Sequence, residues 1–262
     1  MSLIFSAIVP HPPLIIPSVG KKNAVKLKKT AAAYKKLEDD LYASQPDTII
    51  IISPHGCVYE NSFCLNQSPE FIANMESFGD FSVKSTLTGN VMLTHKIRER
   101  LESRAPVQMV TESKLDYGSS VPLLLLTPHL PKIKIIPVYY SGLSLLANFE
   151  FGQLLKREIL VSKDRIAIVA SGDLSHRLSK ESPAGYCRQG KKFDKKVIEL
   201  LSPLNTRELL KIDSEFVHEA CECGLKSIAM LLGILDGIKA RPELLSYESP
   251  FGIGYMVMEF KL

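Results

Sequence analysis

Two histidines each follow a proline at the end of an apolar run: Pro10-His11 after residues 4–9, and Pro54-His55 after residues 48–52. A third apolar run, residues 166–170, opens into Ser171-Gly172-Asp173-Leu174-Ser175-His176. Imidazole nitrogens bind metals and carry protons near neutral pH. Coordination demands that they be held rigidly. Proline fixes φ and ends a hydrogen-bonded ladder, and Gly56 permits a sharp turn behind His55. In open α/β sheets the ligand crevice lies beyond the carboxyl ends of the strands. If the three runs are parallel neighbours, three of the six histidines converge there. Either of the first two alone reads equally as a turn residue; the matched pair points to a metal.

A metal held by two imidazoles needs an anionic or soft partner. The stretch Glu215-Phe216-Val217-His218-Glu219-Ala220-Cys221-Glu222-Cys223-Gly224 is expected to open a helix over residues 215–235. Spacings of three and four bring Glu219, Glu222 and Cys223 toward one face, and any of them could reach the metal. Two histidines with a carboxylate leave positions open, as in non-haem Fe(II) oxygenases, whereas two histidines with a thiolate suit zinc or copper. The competing reading is a solvated acidic helix start that complements the helix dipole. The run His218-Glu219-Ala220-Cys221-Glu222 partly matches a zinc-protease helix, but Glu222 stands where the second histidine is required. His95 and His129 have no polar constellation around them. Cys57, Cys64 and Cys187 lack C-x-x-C spacing, and Cys221 and Cys223 stand too close to share one tetrahedral ion. Asp173, three residues before His176, can hold that imidazole in one tautomer and raise its basicity. His176 then reads as a proton donor or acceptor beside the metal, with direct coordination as the alternative.

The elements that must position these groups follow from periodicity. Residues 3–9, 48–52, 133–138, 166–170 and 254–260 are apolar on both faces, which suits strands inside a sheet. Residues 23–43, 145–160, 191–201 and 215–235 have helical character. Strands alternating with helices predict an α/β layered fold. Residues 57–88 show no period and read as an excursion of short strands or loops after His55, placed to cover a site. With no linker and no internal repeat, one domain over residues 1–262 is the economical organisation.

Composition narrows the function classes. The 262 residues lie at the upper end of a single domain, with 45% hydrophobic and 23% charged residues, so a large core is available. The net charge of +4 is scattered, and the lysines of residues 21–36 read as a solvated helix face, which argues against a nucleic-acid partner. The five cysteines are an odd number, and residues 1–9 have neither basic n-region nor cleavage site; reduced thiols and a cytoplasmic location are expected. No run reaches the roughly 18 apolar residues of a membrane span.

The ordered set Pro10-His11-Pro12-Pro13, Ser53-Pro54-His55-Gly56, Leu115-Asp116-Tyr117-Gly118-Ser119-Ser120-Val121-Pro122-Leu123, Ser171-Gly172-Asp173-Leu174-Ser175-His176 and Glu222-Cys223-Gly224 resembles the class III (LigB-type) extradiol dioxygenase superfamily. It is most similar to the branch of Memo-like proteins and the dioxygenase-like domains found with AMMECR-type partners. The resemblance spans nearly the whole chain. It implies a two- or three-layer α/β fold with a central mixed or largely parallel sheet flanked by helices. It also implies a mononuclear site, Fe(II) in the dioxygenases, with His11 and His55 as the first two ligands. The third would be Glu222 by the dioxygenase pattern or Cys223 by the Memo-like one, with His176 as acid/base and Asp173 beside it. A small catecholic or other chelating aromatic substrate and O2 would be the reactants, an AMMECR-type protein is an implied partner, and self-association into a homo-oligomer is compatible with the sequence. Many relatives carry Asp-His-Gly where this chain has Asp116-Tyr117-Gly118. Tyr117 could donate a hydrogen bond to a bound oxyanion, yet a phenol is a poor base near neutrality.

Overall fold

β-Branched runs that are apolar at every position must be covered on both sides, so they become inner strands. The computed structural model describes residues 2–262. Among these residues one sheet is formed by β1 (Leu3–Val9), β2 (Thr48–Ser53), β3 (Phe63–Asn66), β4 (Glu70–Met75), β5 (Asp80–Gly89), β6 (Val107–Val110), β7 (Lys134–Tyr139), β8 (Ile166–Ser171), β9 (Arg241–Glu248) and β10 (Tyr255–Lys261). Their order is β4-β5-β7-β2-β8-β1-β10-β9, and β3 pairs with β6 and β7 beside this path. The sheet is mixed: β7, β2, β8 and β1 are parallel, whereas β10 runs antiparallel to both β1 and β9.

Alternation along the strands sends side chains into two separate cores. Ile50, Ile52, Ile136, Val138, Ile166 and Ile168 pack against helices Val91–Leu101, Leu145–Val161, Arg188–Leu201 and Leu225–Leu235. Ile49, Ile51, Ile135, Ala167 and Val169 pack against helices Lys28–Ser44 and Tyr117–Leu126. The result is a layered α/β arrangement, as the alternation of strands and helices predicts, and it has three layers. Each of the five expected strands forms within a residue or two of its expected limits. No helix among the described residues is long and apolar enough to cross a membrane.

What matters for the site is the trio β2, β8 and β1. They lie side by side and parallel, with Val9 opposite Ser171 and Ile52 opposite Ala170, so they end at one level. The expected excursion after His55 folds as β3, β4 and β5, and the β4–β5 hairpin turns through Glu76–Phe78.

The expected continuous helix over residues 215–235 is corrected. One helix, Ser214–Ala220, stops at Cys221, which adopts a left-handed conformation (φ 53°). A second helix, Leu225–Leu235, starts after Gly224. The N–H groups of Cys223 and Gly224 donate instead to the carbonyl of Asp173, at 3.4 and 3.0 Å. This loop–loop pairing replaces helical hydrogen bonds, so Glu219, Glu222 and Cys223 do not share a helix face.

Asp194, on helix Arg188–Leu201, ties this region together. Its carboxylate accepts from the Ser175 N–H at 2.8 Å and from the Tyr247 hydroxyl at 2.6 Å. Burial pushes its pKa up to about 7, only partly opposed by those two donors. A carboxyl raised in the fold contributes stability that is complete below the unfolded value and lost as pH rises through the folded one. Between about pH 4 and pH 7, wild type is therefore expected to lose on the order of 3 kcal/mol relative to Asp194→Asn. Urea midpoints across that range measure it; parallel curves for the two proteins would show that Asp194 is ionised in the fold.

Candidate metal centre

The backbone turns leave each histidine no choice of direction. β1 ends at Val9 and β2 at Ser53, and Pro10 and Pro54 follow at once. The Tyr34 hydroxyl donates to the Pro10 carbonyl, and the His11 N–H donates to Asp173 Oδ1 at 2.9 Å. His11 is buried, and its Nε2 lies 3.0 Å from His55 Nε2. Cys223 Sγ lies 3.6 Å from His11 Nε2. The ligand atoms of His11, His55 and Cys223 all fall within 4.8 Å of one another, and so do those of Asp173, His176 and Cys223. The two groups share one sulfur. Asp173 Oδ2 stands between the imidazoles, 3.7 Å from His11 Nε2 and 4.0 Å from His176 Nε2.

Burial dominates the electrostatics. It lowers the pKa of His11 to about 3, with the His176 charge adding, and that of His55 to about 4, with the His11 charge adding. Both imidazoles are therefore neutral near pH 7 and keep a lone pair. Burial raises Asp173 to about 6, against the pull of His176 and the His11 N–H, and pushes the Cys223 thiol well up. A bound cation reverses this pressure, since a coordinated thiol is deprotonated outright. Two imidazole nitrogens set at a right angle about 2.1 Å from one ion stand about 3.0 Å apart, the separation seen here. Nitrogen, sulfur and carboxylate donors together suit a transition metal, not calcium or magnesium. The residues fit a metal of that class.

Glu222 is not part of either group. Its carboxylate accepts from the Leu225 N–H at 2.5 Å and so caps helix Leu225–Leu235, while burial raises its pKa to about 7. Neither group contains Glu219, whose carbonyl accepts from Arg177. Cys223 is the candidate that arrives, because the Gly172 and Gly224 backbones touch: a Cβ on Gly172 would lie 2.2 Å from Gly224 Cα. Tyr117 arrives as well. Its hydroxyl is 2.8 Å from His55 Nε2, and its ring stacks on His55 with centroids 4.3 Å apart. Phe78, from the β4–β5 turn, meets the Tyr117 ring at 5.4 Å, so the excursion does cover one side of the site. His176 Nδ1 donates to the Cys221 carbonyl at 2.6 Å, which leaves Nε2 as the acceptor. His95 and His129 pair elsewhere, with Glu99 and Glu38. Sequence reading missed Ser53, whose hydroxyl donates to Asp116 at 2.5 Å while Asp116 caps helix Tyr117–Leu126. The serine stands one residue before the Pro-His pair, but its partner Asp116 lies 63 residues away, so no local spacing signals the contact.

The family model described as the catalytic LigB subunit of aromatic ring-opening dioxygenase matches residues 6–258. The chain belongs to the LigB family. Protein CA_C1420 of Clostridium acetobutylicum is 35% identical over 271 residues, covering 100% of this chain; the chain spans 58% of that protein's length. The 3,4-dihydroxyphenylacetate 2,3-dioxygenase of Escherichia coli is 24% identical over 89% of this chain and 90% of the enzyme. In fold, the uncharacterized protein JW3007 from Escherichia coli K12 superposes with a TM-score of 0.68 over 98% of this chain and 99% of its own, at 15% identity. The LigB-type dioxygenase-like fold and the polar cluster at its strand ends thus come together in one chain.

Metal content separates the two candidate third ligands. Cys223→Ser is expected to weaken metal binding at least tenfold, more than about 10-fold being usual even for partners that only support a ligand. Glu222→Gln, whose amide oxygen can still accept from the Leu225 N–H, is expected to leave both metal content and stability near wild type. Elemental analysis of anaerobically purified variants gives the answer; metal lost from Glu222→Gln and kept by Cys223→Ser would reverse the assignment.

Proposed function

We propose that this LigB-family chain is a metal-dependent oxygenase of the extradiol type, acting on a small catecholic or otherwise chelating aromatic substrate with O2. The observation that carries the reading is the meeting of two neutral imidazoles, a thiol and a carboxylate at the ends of β1, β2 and β8, with His176 beside them. The similarity to a dihydroxyphenylacetate dioxygenase supports a catecholic substrate. His11, His55 and Cys223 would hold the metal, with Asp173 adjacent. Iron(II) is the first choice, with zinc or copper suited to the thiolate. When bound, iron(II) supplies open positions for substrate oxygens and for O2.

The side chains supply orientation and proton handling. His176 is partly exposed, and its Nδ1–H is held by the Cys221 carbonyl, so Nε2 is the atom that takes a substrate hydroxyl proton. Asp173 Oδ2, 4.0 Å from that nitrogen, stabilises the imidazolium that results. Returning the proton to a leaving oxygen completes the acid/base cycle. Burial holds the Tyr117 phenol above its ordinary range, so its hydroxyl acts as a hydrogen-bond donor and not as a base. The Tyr117 and Phe78 rings, set edge to face, would offer an apolar side to an aromatic substrate.

A second reading has its own support. Cys223 beside the imidazoles in place of Glu222, with Tyr117 in the Asp-Tyr-Gly turn, is what a Memo-like protein would carry if it kept the metal pocket for a redox, signalling or other non-oxygenase role. An AMMECR-type partner, a homo-oligomer and a cytoplasmic setting, where the five free cysteines would stay reduced, are compatible with either reading.

Protein loaded anaerobically with Fe(II) and then exposed to air is expected to turn a catechol into a yellow ring-opened product. His176→Ala should cut turnover by about 10²-fold or more while keeping its metal. A fully loaded wild-type protein that opens no ring across a catechol panel would end the oxygenase reading in favour of the second.

A further inference from the structure

We infer that Ser171 is a positioning residue for the metal centre: through its hydroxyl it locks His11 in the tautomer whose Nε2 lone pair faces Cys223 and His55. The inference rests on the proposed metal centre but not on the oxygenase chemistry.

Ser171 is the last residue of β8 and is fully buried. Its Oγ lies 2.6 Å from the Gly118 carbonyl and 2.9 Å from His11 Nδ1. A hydroxyl has one proton to give, and a carbonyl can only accept. The Ser171 proton therefore points to Gly118, and the Ser171 oxygen accepts from His11. His11 Nδ1 must carry the hydrogen, which leaves Nε2 bare. That bare nitrogen is the atom 3.0 Å from His55 Nε2 and 3.6 Å from Cys223 Sγ.

The end of this relay is free for a reason written in the sequence. An α-helical ladder would send the N–H of residue 122 to the carbonyl of Gly118. Residue 122 is a proline inside helix Tyr117–Leu126 and has no N–H. The Gly118 carbonyl therefore keeps accepting capacity that the Ser171 hydroxyl uses. The preceding residue, Tyr117, places its hydroxyl on His55. One short segment thus orients both imidazoles, one through Ser171 and one directly. The backbone N–H of His11 is held separately by Asp173 Oδ1, so Ser171 governs the ring and not the chain path.

Partners of this kind alter metal affinity by about 10–100-fold when removed. Ser171→Ala is expected to weaken cobalt(II) binding by that factor in a competition titration. Its thiolate-to-cobalt absorption should then develop only at correspondingly higher metal concentrations. Ser171→Thr, which keeps the hydroxyl, is expected to restore affinity, separating the hydrogen bond from packing. In metal-free wild type, two-bond ¹H–¹⁵N correlations of the His11 ring should show Nδ1 protonated and Nε2 bare, and that fixed tautomer should be lost in Ser171→Ala. Unchanged cobalt affinity in Ser171→Ala, or a wild-type His11 protonated on Nε2, would overturn the inference. Should Ser171→Ala fail to fold, the wild-type tautomer alone decides. None of these readouts needs a catechol to be turned over, so a negative ring-opening assay leaves the inference standing.

Discussion

Two glycines, Gly172 after β8 and Gly224 before helix Leu225–Leu235, let their backbones meet where any side chain would hold them apart. Around that contact the Asp173 carbonyl takes the N–H groups of Cys223 and Gly224, and the Asp173 N–H points at Cys223 Sγ from 3.3 Å. Because β8 lies between β2 and β1, whatever is pinned to its end is also pinned beside His11 and His55. The sulfur reaches the imidazoles by way of this crossing. The bonds from Ser175 and His176 to the Ala220 and Cys221 carbonyls hold the same loop from its other end.

Once assembled, the cluster is under electrostatic tension of one kind. Burial disfavours every charged form at once, lowering the two imidazoles and raising the thiol and the carboxylate. Neutral ligands with unused lone pairs, packed within a few ångströms, have a common remedy in a cation, which compensates the desolvation of all of them together. Glu222 shows the contrast. It is also pushed toward neutrality by burial, but one of its oxygens accepts from the Leu225 N–H and it lies outside both ligand groups.

The aromatic side of the site has a different character. Tyr117 stacks on His55 and touches Phe78, so the excursion between β2 and helix Val91–Leu101 closes one flank with carbon instead of with charge. The partly exposed His176 and the carboxylate of Asp173 form a polar flank. A planar ligand with two adjacent oxygens would meet hydrogen-bonding groups at one edge and ring faces along its body. That asymmetry is the feature on which the catecholic substrate proposed above rests.

Much of this was readable from local chemistry. Apolar β-branched runs announce inner strands because no other element buries both faces over so few residues, and Pro10 and Pro54 announce where two of them stop. The Asp173-x-x-His176 spacing likewise placed a carboxylate by an imidazole. By itself, then, the sequence determined the layered fold, the two strand-end histidines and the pairing of Asp173 with His176. The choice among Glu219, Glu222 and Cys223 was not local. A helical repeat makes them equivalent, and the helix is broken at Cys221 by hydrogen bonds to Asp173, fifty residues distant in the chain. The role of Ser171 was hidden for the same reason, since its partners Gly118 and His11 come from two other segments. Tertiary structure decided which of the three side chains lies beside the imidazoles and what the Ser171 hydroxyl meets, because a hydrogen bond between distant residues leaves no period in the sequence.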